Sequence, residues 1–328
     1  MVRGNRVVAP DGKPGGDDAI RRRRLLSRLT SAYLLDVLAI ARGEGDPLDT
    51  LIAAAIIQAN VAGIRARADL QLAFAQADQP PPDELRRPVS MNAIASSLGL
   101  PFETVRRRIG ALAAAGLCRF VEGGVIVPAA VLKSPAFAKD AQGYERTRAF
   151  YEQVRGLGLL GDLPPPTAEI ASDEPPVRTV WRLIGTYMLR VAEDLGQVGR
   201  LLDAVILFEV FRSNTEHWPP EPMGREGTTA ADLEPDRLRR PASTSALARR
   251  LGMSPETARR HVMRLAERGH LVRTDAGLVI PAEVLAQPRF QDALEANANH
   301  VHRLMSALSQ LGVLQLWERE RAAGTAAA

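Results

Sequence analysis

The sequence has a single cysteine, Cys118, in 328 residues. One thiol cannot form an internal disulfide, and no cysteine cluster is present that could hold zinc. This excludes a small disulfide-stabilised secreted domain and favours a reducing compartment. The N-terminal residues also lack the apolar segment of a signal peptide, so we expect a cytoplasmic protein.

Aromatic residues are scarce, at 5% of the chain, whereas alanine and leucine are abundant. Because strands favour aromatic and β-branched residues and helices favour alanine and leucine, this composition predicts a mainly helical fold. Long apolar stretches are absent too. The longest, over about residues 51–64, contains Gln58 and Asn60. It is too short to cross a bilayer, so it predicts a buried helix and no membrane association.

Strong charge and catalytic motifs are missing as well. The 42 basic and 38 acidic residues leave a net charge of only +4, which permits nucleic-acid binding without requiring it. The sequence shows no glycine loop for phosphate, no Ser-His-Asp arrangement and no cluster of metal ligands. We therefore expect no enzymatic activity, no metal and no cofactor.

What the sequence does contain is an internal repeat. Residues 86–132 align without a gap with residues 239–285, with about 20 identities over roughly 47 positions. Both copies begin Arg-Arg-Pro, continue with Leu-Gly, Glu-Thr-x-Arg-Arg and Leu-Ala-x-x-Gly, and end on Pro-Ala-x-Val-Leu. Fainter matches flank this region, such as Tyr33 with Tyr187.

The flanking matches also join residues 56–60 to residues 210–214, so the repeating unit is predicted to be a whole domain. Each unit is expected to contain two helices, a central module and a closing helix, with a long helix over about residues 48–74 in the first unit. The predicted organisation is a disordered tail over residues 1–19, a first repeat over 20–161, a linker rich in proline and acidic residues over 162–176, a second repeat over 177–316 and a C-terminal tail over 317–328.

Local signals divide the central module of the second repeat into a helix, a turn, a helix and a hairpin. Ser243 is predicted to cap a first helix that ends at Gly252, and Ser254 to cap a second helix. Residues 271–280 then indicate two short strands around a turn. The first repeat predicts the same order from Ser90 onwards. The expected fold is therefore mainly α, with tandem duplicated helical domains that each contain a winged helix-turn-helix with a small β-hairpin wing.

The second helix of each module resembles the corresponding helix of the Crp/FNR regulators. In both copies Glu-Thr-x-Arg-Arg follows the turn, and the Leu-Ala-x-x-Gly and Pro-Ala-x-Val-Leu segments come after it. In that family a glutamate and an arginine one turn later contact bases, which implies base contacts from Glu103, Arg107, Glu256 and Arg260.

The resemblance is confined to the module. Phe102 and Pro255 stand where the family carries a further contacting arginine, and no pattern of a cyclic-nucleotide β-barrel is present. MarR, GntR and IclR regulators share a similar module.

The helical periodicity agrees with this assignment. With Val105, Ile109 and Leu112 on the buried face of the first copy, Glu103 and Arg107 lie on the outward face. Arginine can bond to O6 and N7 of guanine, and glutamate can accept from N4 of cytosine. A second set of residues is expected to contact the DNA backbone or to flank the base-reading residues. These are Arg86, Arg87, Thr104, Arg106, Arg108, Arg239, Arg240, Thr257, Arg259 and His261.

The function predicted from these features is that of a sequence-specific, double-stranded-DNA-binding transcriptional regulator acting on the nucleoid. One chain would read two similar half-sites, as dimeric helix-turn-helix proteins do. A homodimer through the long helices would double that number. Two alternatives remain open: an adaptor that uses the modules to dock proteins, and an architectural protein that binds DNA without sequence preference. The sequence specifies no small-molecule effector.

Overall fold

The computed structural model describes residues 16–134, 140–170, 174–198, 200–225 and 227–326. Within these residues the chain forms fifteen α-helices and two antiparallel sheets of two strands each. The expectation of a mainly helical fold is confirmed. No described helix is apolar over a long enough stretch to cross a membrane.

The first half of the chain contains eight helices and one hairpin in its described part. Their bounds are α1 Gly16–Arg42, α2 Pro47–Asn60, α3 Ala62–Arg65, α4 Ala68–Ala73, α5 Met91–Ser97, α6 Phe102–Ala114, β1 Arg119–Val121, β2 Gly124–Ile126, α7 Ala129–Leu132 and α8 Asp140–Gly156.

The second half repeats this order, apart from two short helices that follow α2 and a final helix at the C-terminus. Its elements are α9 Val177–Val198, α10 Leu201–Thr215, α11 Thr244–Leu251, α12 Pro255–Glu267, β3 Val272–Thr274, β4 Gly277–Val279, α13 Ala282–Leu285, α14 Pro288–Gln310 and α15 Val313–Ala326. We call α5, α6, β1 and β2 the first module, and α11, α12, β3 and β4 the second module.

Two predicted elements differ from the structure. The single helix expected over residues 48–74 is wrong, because the backbone leaves helical geometry at Val61 (φ −100°, ψ 12°) and at Arg67 (φ −129°, ψ 116°). The C-terminal tail expected from residue 317 is also wrong, because α15 continues through it. Trp317 anchors this helix: it is 1% exposed and donates its indole N–H to the Tyr144 hydroxyl at 2.7 Å.

The two halves share one core instead of folding side by side. Helices α1, α8, α9 and α14 form a central bundle, in which α1 packs against α14 and α8 against α9. The packing crosses between the halves, since α1 also lies on α10 and α9 lies on α2. The apolar faces that would form a homodimer through the long helices are therefore covered within the chain, and their buried residues belong to one cluster.

The described part of the linker packs on the bundle as well. The N–H groups of Thr167 and Ala168 donate to the carbonyl of Gln310 at 2.8 and 3.1 Å. The Ser309 hydroxyl donates to the carbonyl of Pro164 at 2.7 Å. The segment predicted to be a linker thus lies against the end of α14.

Candidate nucleic-acid interface

The two modules begin at the predicted serine caps. Ser90 accepts a hydrogen bond from the Ala93 N–H, and Ser243 accepts one from the Ala246 N–H, both at 3.2 Å. In the second module Ser254 also caps α12. These caps satisfy amide groups that the first helical turn leaves unpaired, so they fix where each helix starts.

A buried asparagine joins each module to the helix beneath it. Asn60, at the end of α2, donates to the carbonyls of Arg87 and Val125 at 2.7 and 3.1 Å and accepts from the Val127 N–H at 2.9 Å. The side chain is fully buried. It therefore holds the segment before α5 and the second strand of the hairpin in one place.

Asn214, at the end of α10, makes the same three bonds in the second half. It donates to the carbonyls of Arg240 and Leu278 at 2.8 and 3.1 Å and accepts from the Ile280 N–H at 3.0 Å. We call these two residues the asparagine clamps. They were part of the faint flanking match in the sequence, which gave no reason to single them out.

The first arginine of each Arg-Arg pair is inside the protein, so the expected phosphate contacts of Arg86 and Arg239 are wrong. Their side chains are 0% and 1% exposed, and each pairs with an aspartate three residues earlier, Asp83 at 3.3 Å and Asp236 at 3.1 Å. Each aspartate also accepts a backbone N–H at the start of the short helix after the hairpin. The arginines thus close a loop that supports the module.

The second arginine of each pair keeps its side chain exposed. The backbone N–H groups of Arg87 and Arg240 donate to the carbonyls of Asn60 and Asn214 at 3.0 and 3.1 Å. Both guanidinium groups remain available for phosphate at the base of their module.

Arg108 and His261, expected beside DNA, face inward instead. Arg108 bridges Asp46 and Asp49 at the start of α2, at 2.9 Å from each. His261 is 7% exposed, and its Nδ1 lies 2.5 Å from Oδ1 of Asp203. Both side chains attach the second helix of their module to the helix below. Their predicted position beside DNA is therefore wrong.

The outward faces of α6 and α12 carry the same arrangement of charges. Glu103 pairs with Arg106 at 2.8 Å, and Glu256 pairs with Arg259 at 3.0 Å. All four side chains are more than half exposed. The hydrogen bond from Arg259 lowers the pKa of Glu256, so this carboxylate stays ionised at neutral pH.

The next residue in each copy of the motif is an exposed arginine. Arg107 and Arg260 make no ion pair with any described residue. Thr104 and Thr257 lie half-buried in the first turn, and Thr257 accepts a 2.8 Å hydrogen bond from the Ser254 hydroxyl. The structure therefore brings the four predicted base-reading residues to two exposed helix faces.

The surface around these helices also contains apolar groups. Phe102 on α6 and Met263 on α12 are each 39% exposed, and Phe120 and Val272 on the hairpins are 55% and 48% exposed. Among the described residues there is no group of three or more His, Cys, Asp or Glu side chains that could hold a metal ion.

Comparison of the chain with models of protein families, with characterised proteins and with solved structures gives no significant match.

Proposed function

We propose that this chain is a sequence-specific regulator that binds double-stranded DNA on the nucleoid. Its modules would be two winged helix-turn-helix units that arose by duplication. The observation that supports this best is the shared surface of α6 and α12: each exposes an arginine without an ion-pair partner in the described chain, Arg107 or Arg260, beside a Glu–Arg pair. A guanidinium on an exposed helix can reach both acceptors of guanine in the major groove.

The residues around this arginine have distinct roles in the proposal. Glu103 and Glu256 accept from cytosine, and their partners Arg106 and Arg259 orient them. Phosphate contacts come from the exposed Arg87 and Arg240 and from the half-buried Thr104 and Thr257 at the edge of each module. Neutralising phosphates releases counterions, so DNA affinity should fall steeply with salt.

The two modules would read similar but non-identical half-sites. Arg107 and Arg260 are equivalent, but Gly110 on α6 corresponds to Met263 on α12. Both positions lie one turn further along the exposed face. A glycine leaves room for any base pair, whereas methionine can contact the methyl group of thymine.

The test is a gel-shift titration against duplexes selected from a random library. Arg107→Ala and Arg260→Ala should each lower affinity for the selected duplex by about 1–3 kcal/mol and relax preference at one half-site. Arg303→Ala, which removes an exposed arginine from α14, is the matched control and should leave the preference unchanged. Random duplex bound as tightly as selected duplex would instead indicate an architectural protein. No effect of either module substitution would refute base reading.

One observation favours a protein-docking adaptor as a second candidate. The exposed Phe102, Phe120, Met263 and Val272 form apolar surface on both modules, and such surface often marks protein contacts. An adaptor would show no DNA binding at moderate salt. The same titration, repeated at several salt concentrations, separates the two candidates.

A further inference from the structure

We propose that the first repeat binds a small uncharged molecule that combines an aromatic body with one hydrogen-bond acceptor, such as an aromatic ketone. The site lies between α2 and α9, where Gln58 offers an amide donor among apolar walls. We further propose that the bound molecule changes the DNA affinity of the first module, a step that rests on the proposed DNA-binding function.

The site is a cavity beneath the first module. Its volume is about 330 Å³, which is within the range of small-molecule sites. The walls come from α2, α9 and the end of α6, and most of them are apolar. They include Ala53, Ala54, Ile57, Leu112, Leu117 and Met188. Burial of an apolar surface against such walls favours binding.

The second repeat shows which groups fit this space. Its walls correspond to those of the first repeat, since Leu265 matches Leu112, but only two cavities of about 50 and 80 Å³ remain. Side chains on the second helix make the difference: Ala53, Ala54 and Ile57 on α2 are replaced by Leu207, Phe208 and Phe211 on α10. Phe211 borders both small cavities. Because phenyl rings stand here in one repeat, an aromatic ligand suits the space above the alanines in the other.

The carboxylates that line the cavity are paired within the protein. Asp46 and Asp49 each lie 2.9 Å from the guanidinium of Arg108. A cationic ligand would have to compete with this arginine for them. It would also lose its hydration on entering an apolar site, which costs free energy.

The arginines that line the cavity have partners too. They donate to backbone carbonyls, which are those of Gly45 for Arg42, Ala77 for Arg178 and Phe74 for Arg182. Arg178 and Arg182 have further partners in the chain. A ligand therefore has no need to supply a negative charge, and the apolar walls favour an uncharged one.

One neutral polar group in the wall has a donor to offer. Gln58 on α2 lines the cavity and is 5% exposed. Its Oε1 accepts from Arg65 at 3.2 Å and from the Thr186 hydroxyl at 3.1 Å. Because a guanidinium can only donate, Oε1 faces Arg65 and Nε2 points away from it. Nε2 has no hydrogen-bond partner among the described residues. An acceptor oxygen on the ligand would satisfy this buried donor.

The free amide group is particular to the first repeat. Nε2 lies over Gly185 of α9, another residue of the cavity wall, and a Cβ added to Gly185 would collide with it. The second repeat has Ser31 and Arg212 at the positions of Gly185 and Gln58. Arg212 donates to Asp36 and to Glu209. Space for an aromatic body and an available amide thus occur together in the repeat whose second helix carries alanines.

The cavity also adjoins the supports of α6. Asp46 and Asp49 attach α6 to α2 through Arg108, and Leu112 and Leu117 place the end of α6 in the cavity wall. A bound molecule would contact the wall that carries the DNA-facing helix. Coupling between two such sites commonly changes affinity by about fivefold or more.

The first experiment measures binding without DNA. Full-length protein is titrated by calorimetry with acetophenone, with benzoate, in which a carboxylate replaces the acetyl group, and with ethylbenzene, which lacks the oxygen. Acetophenone should bind with a Kd below about 1 mM, and benzoate at least about tenfold more weakly. No binding of acetophenone, or benzoate binding as tightly as acetophenone, would overturn the proposal.

Substitutions taken from the second repeat locate the site. Ala54→Phe should weaken acetophenone binding by at least about tenfold, and the smaller change Ala53→Leu by at least about threefold. Ala111→Phe, on the exposed face of α6, is the matched control and should change the Kd by less than about twofold. Unchanged binding by folded Ala54→Phe and Ala53→Leu proteins would place the ligand elsewhere and refute this site.

Gln58→Met tests the hydrogen bond, because it removes the amide and keeps the length of the side chain. Acetophenone should bind at least about threefold more weakly to this variant, whereas the Kd of ethylbenzene should change by less than about twofold. Equal changes for the two ligands would show that the amide does not bind the oxygen, and would refute the acceptor.

The last experiment adds the selected DNA duplex. Acetophenone should change the DNA affinity of the wild type by at least about threefold and leave that of Ala54→Phe unchanged. Ligand binding without any change in DNA affinity would refute the regulatory step alone. If the protein binds no DNA, the proposed function fails, while the titrations without DNA still decide whether the cavity takes the ketone.

Discussion

Tyr33 and Tyr187, at corresponding positions of the two repeats, lie against each other in the central bundle with ring centroids 5.7 Å apart. Tyr33 shares a 2.9 Å hydrogen bond with Thr147 on α8, and Tyr187 donates to Asn297 on α14 at 2.8 Å. Burial raises the pKa of both hydroxyls, so both remain protonated. The contact is between equivalent residues of the two halves, like a contact on the two-fold axis of a homodimer.

This shared centre predicts that the halves stay together after the chain is cut. A protease recognition sequence inserted between the exposed Pro165 and Pro166 allows cleavage of the folded protein. Because α1 packs on α10 and α9 on α2, the fragments should co-elute in gel filtration with unchanged circular dichroism. The uncut insertion protein is the control. Fragments that separate and each keep their helical signal would show two independent domains.

The asparagine clamps predict a similar loss of stability at two distant sites. Asn60→Ala and Asn214→Ala each leave a buried N–H and two carbonyls without their side-chain partner. Each should lower the free energy of unfolding by about 2–4 kcal/mol, measured in urea. The exposed Asn92→Ala should stay within about 0.5 kcal/mol of wild type. A decrease in the free energy of unfolding of less than about 0.5 kcal/mol for either clamp substitution would show that these hydrogen bonds do not stabilise the fold.

Asp203 predicts a pH-dependent contribution to stability. Burial acts to raise its pKa, but the hydrogen bond and charge of His261, together with Arg264, outweigh it, so the pKa lies below the usual value. Its stabilising effect is therefore present above the unfolded-state pKa of about 4 and is lost as the pH falls through the folded-state pKa.

The substitution that tests this is Asp203→Asn. It should destabilise the protein by about 3 kcal/mol at neutral pH, and the difference from wild type should shrink below about pH 4. The equivalent Asp49→Asn is a matched control, because Arg108 keeps Asp46 as a partner. It should cost less than about 1 kcal/mol. A pH-independent difference at Asp203 would contradict the assignment.

Two glycine-to-alanine substitutions should change the stability in opposite directions. Gly277 begins β4 with φ +140°, and an added Cβ would lie 2.7 Å from the Ala242 carbonyl oxygen. Gly277→Ala should therefore destabilise by about 2 kcal/mol, whereas Gly110→Ala, on the open face of α6, should stabilise by about 0.5–1 kcal/mol. Thermal unfolding of both variants checks this. A stabilising Gly277→Ala would show that the turn is not strained.

Local elements of the fold were accessible from the sequence because local chemistry sets them. Ser90, Ser243 and Ser254 cap helices where predicted, since a serine before a periodic segment satisfies free amides by itself. The order helix, turn, helix and hairpin follows from such signals. Each of them acts over a few residues.

The burial of Arg86 and Arg239 does not follow from the Arg-Arg-Pro motif by itself. Two adjacent arginines have equal propensities, and only the surrounding structure decides which one turns inward. A signal was nevertheless present: Asp83 and Asp236 stand three residues before the buried arginines. A charge pair at this spacing in both repeats could have identified the inner arginine.

The crossed packing of the halves was beyond the sequence for a different reason. An amphipathic helix such as α1 shows that it must cover an apolar face, but its periodicity does not specify a partner. Packing on α2 of its own half and on α10 of the other half satisfies the same pattern.

The shared core has a consequence for assembly. A pair of modules built from two chains falls apart on dilution, because its population depends on protein concentration. Here the union of the halves is an intramolecular event, so the paired modules persist at any concentration at which the chain is folded. The two modules are also held by different groups, since Arg108 attaches α6 to α2 and His261 attaches α12 to α10. The molecule is therefore asymmetric, and a duplex bound across both modules would be held in one orientation only.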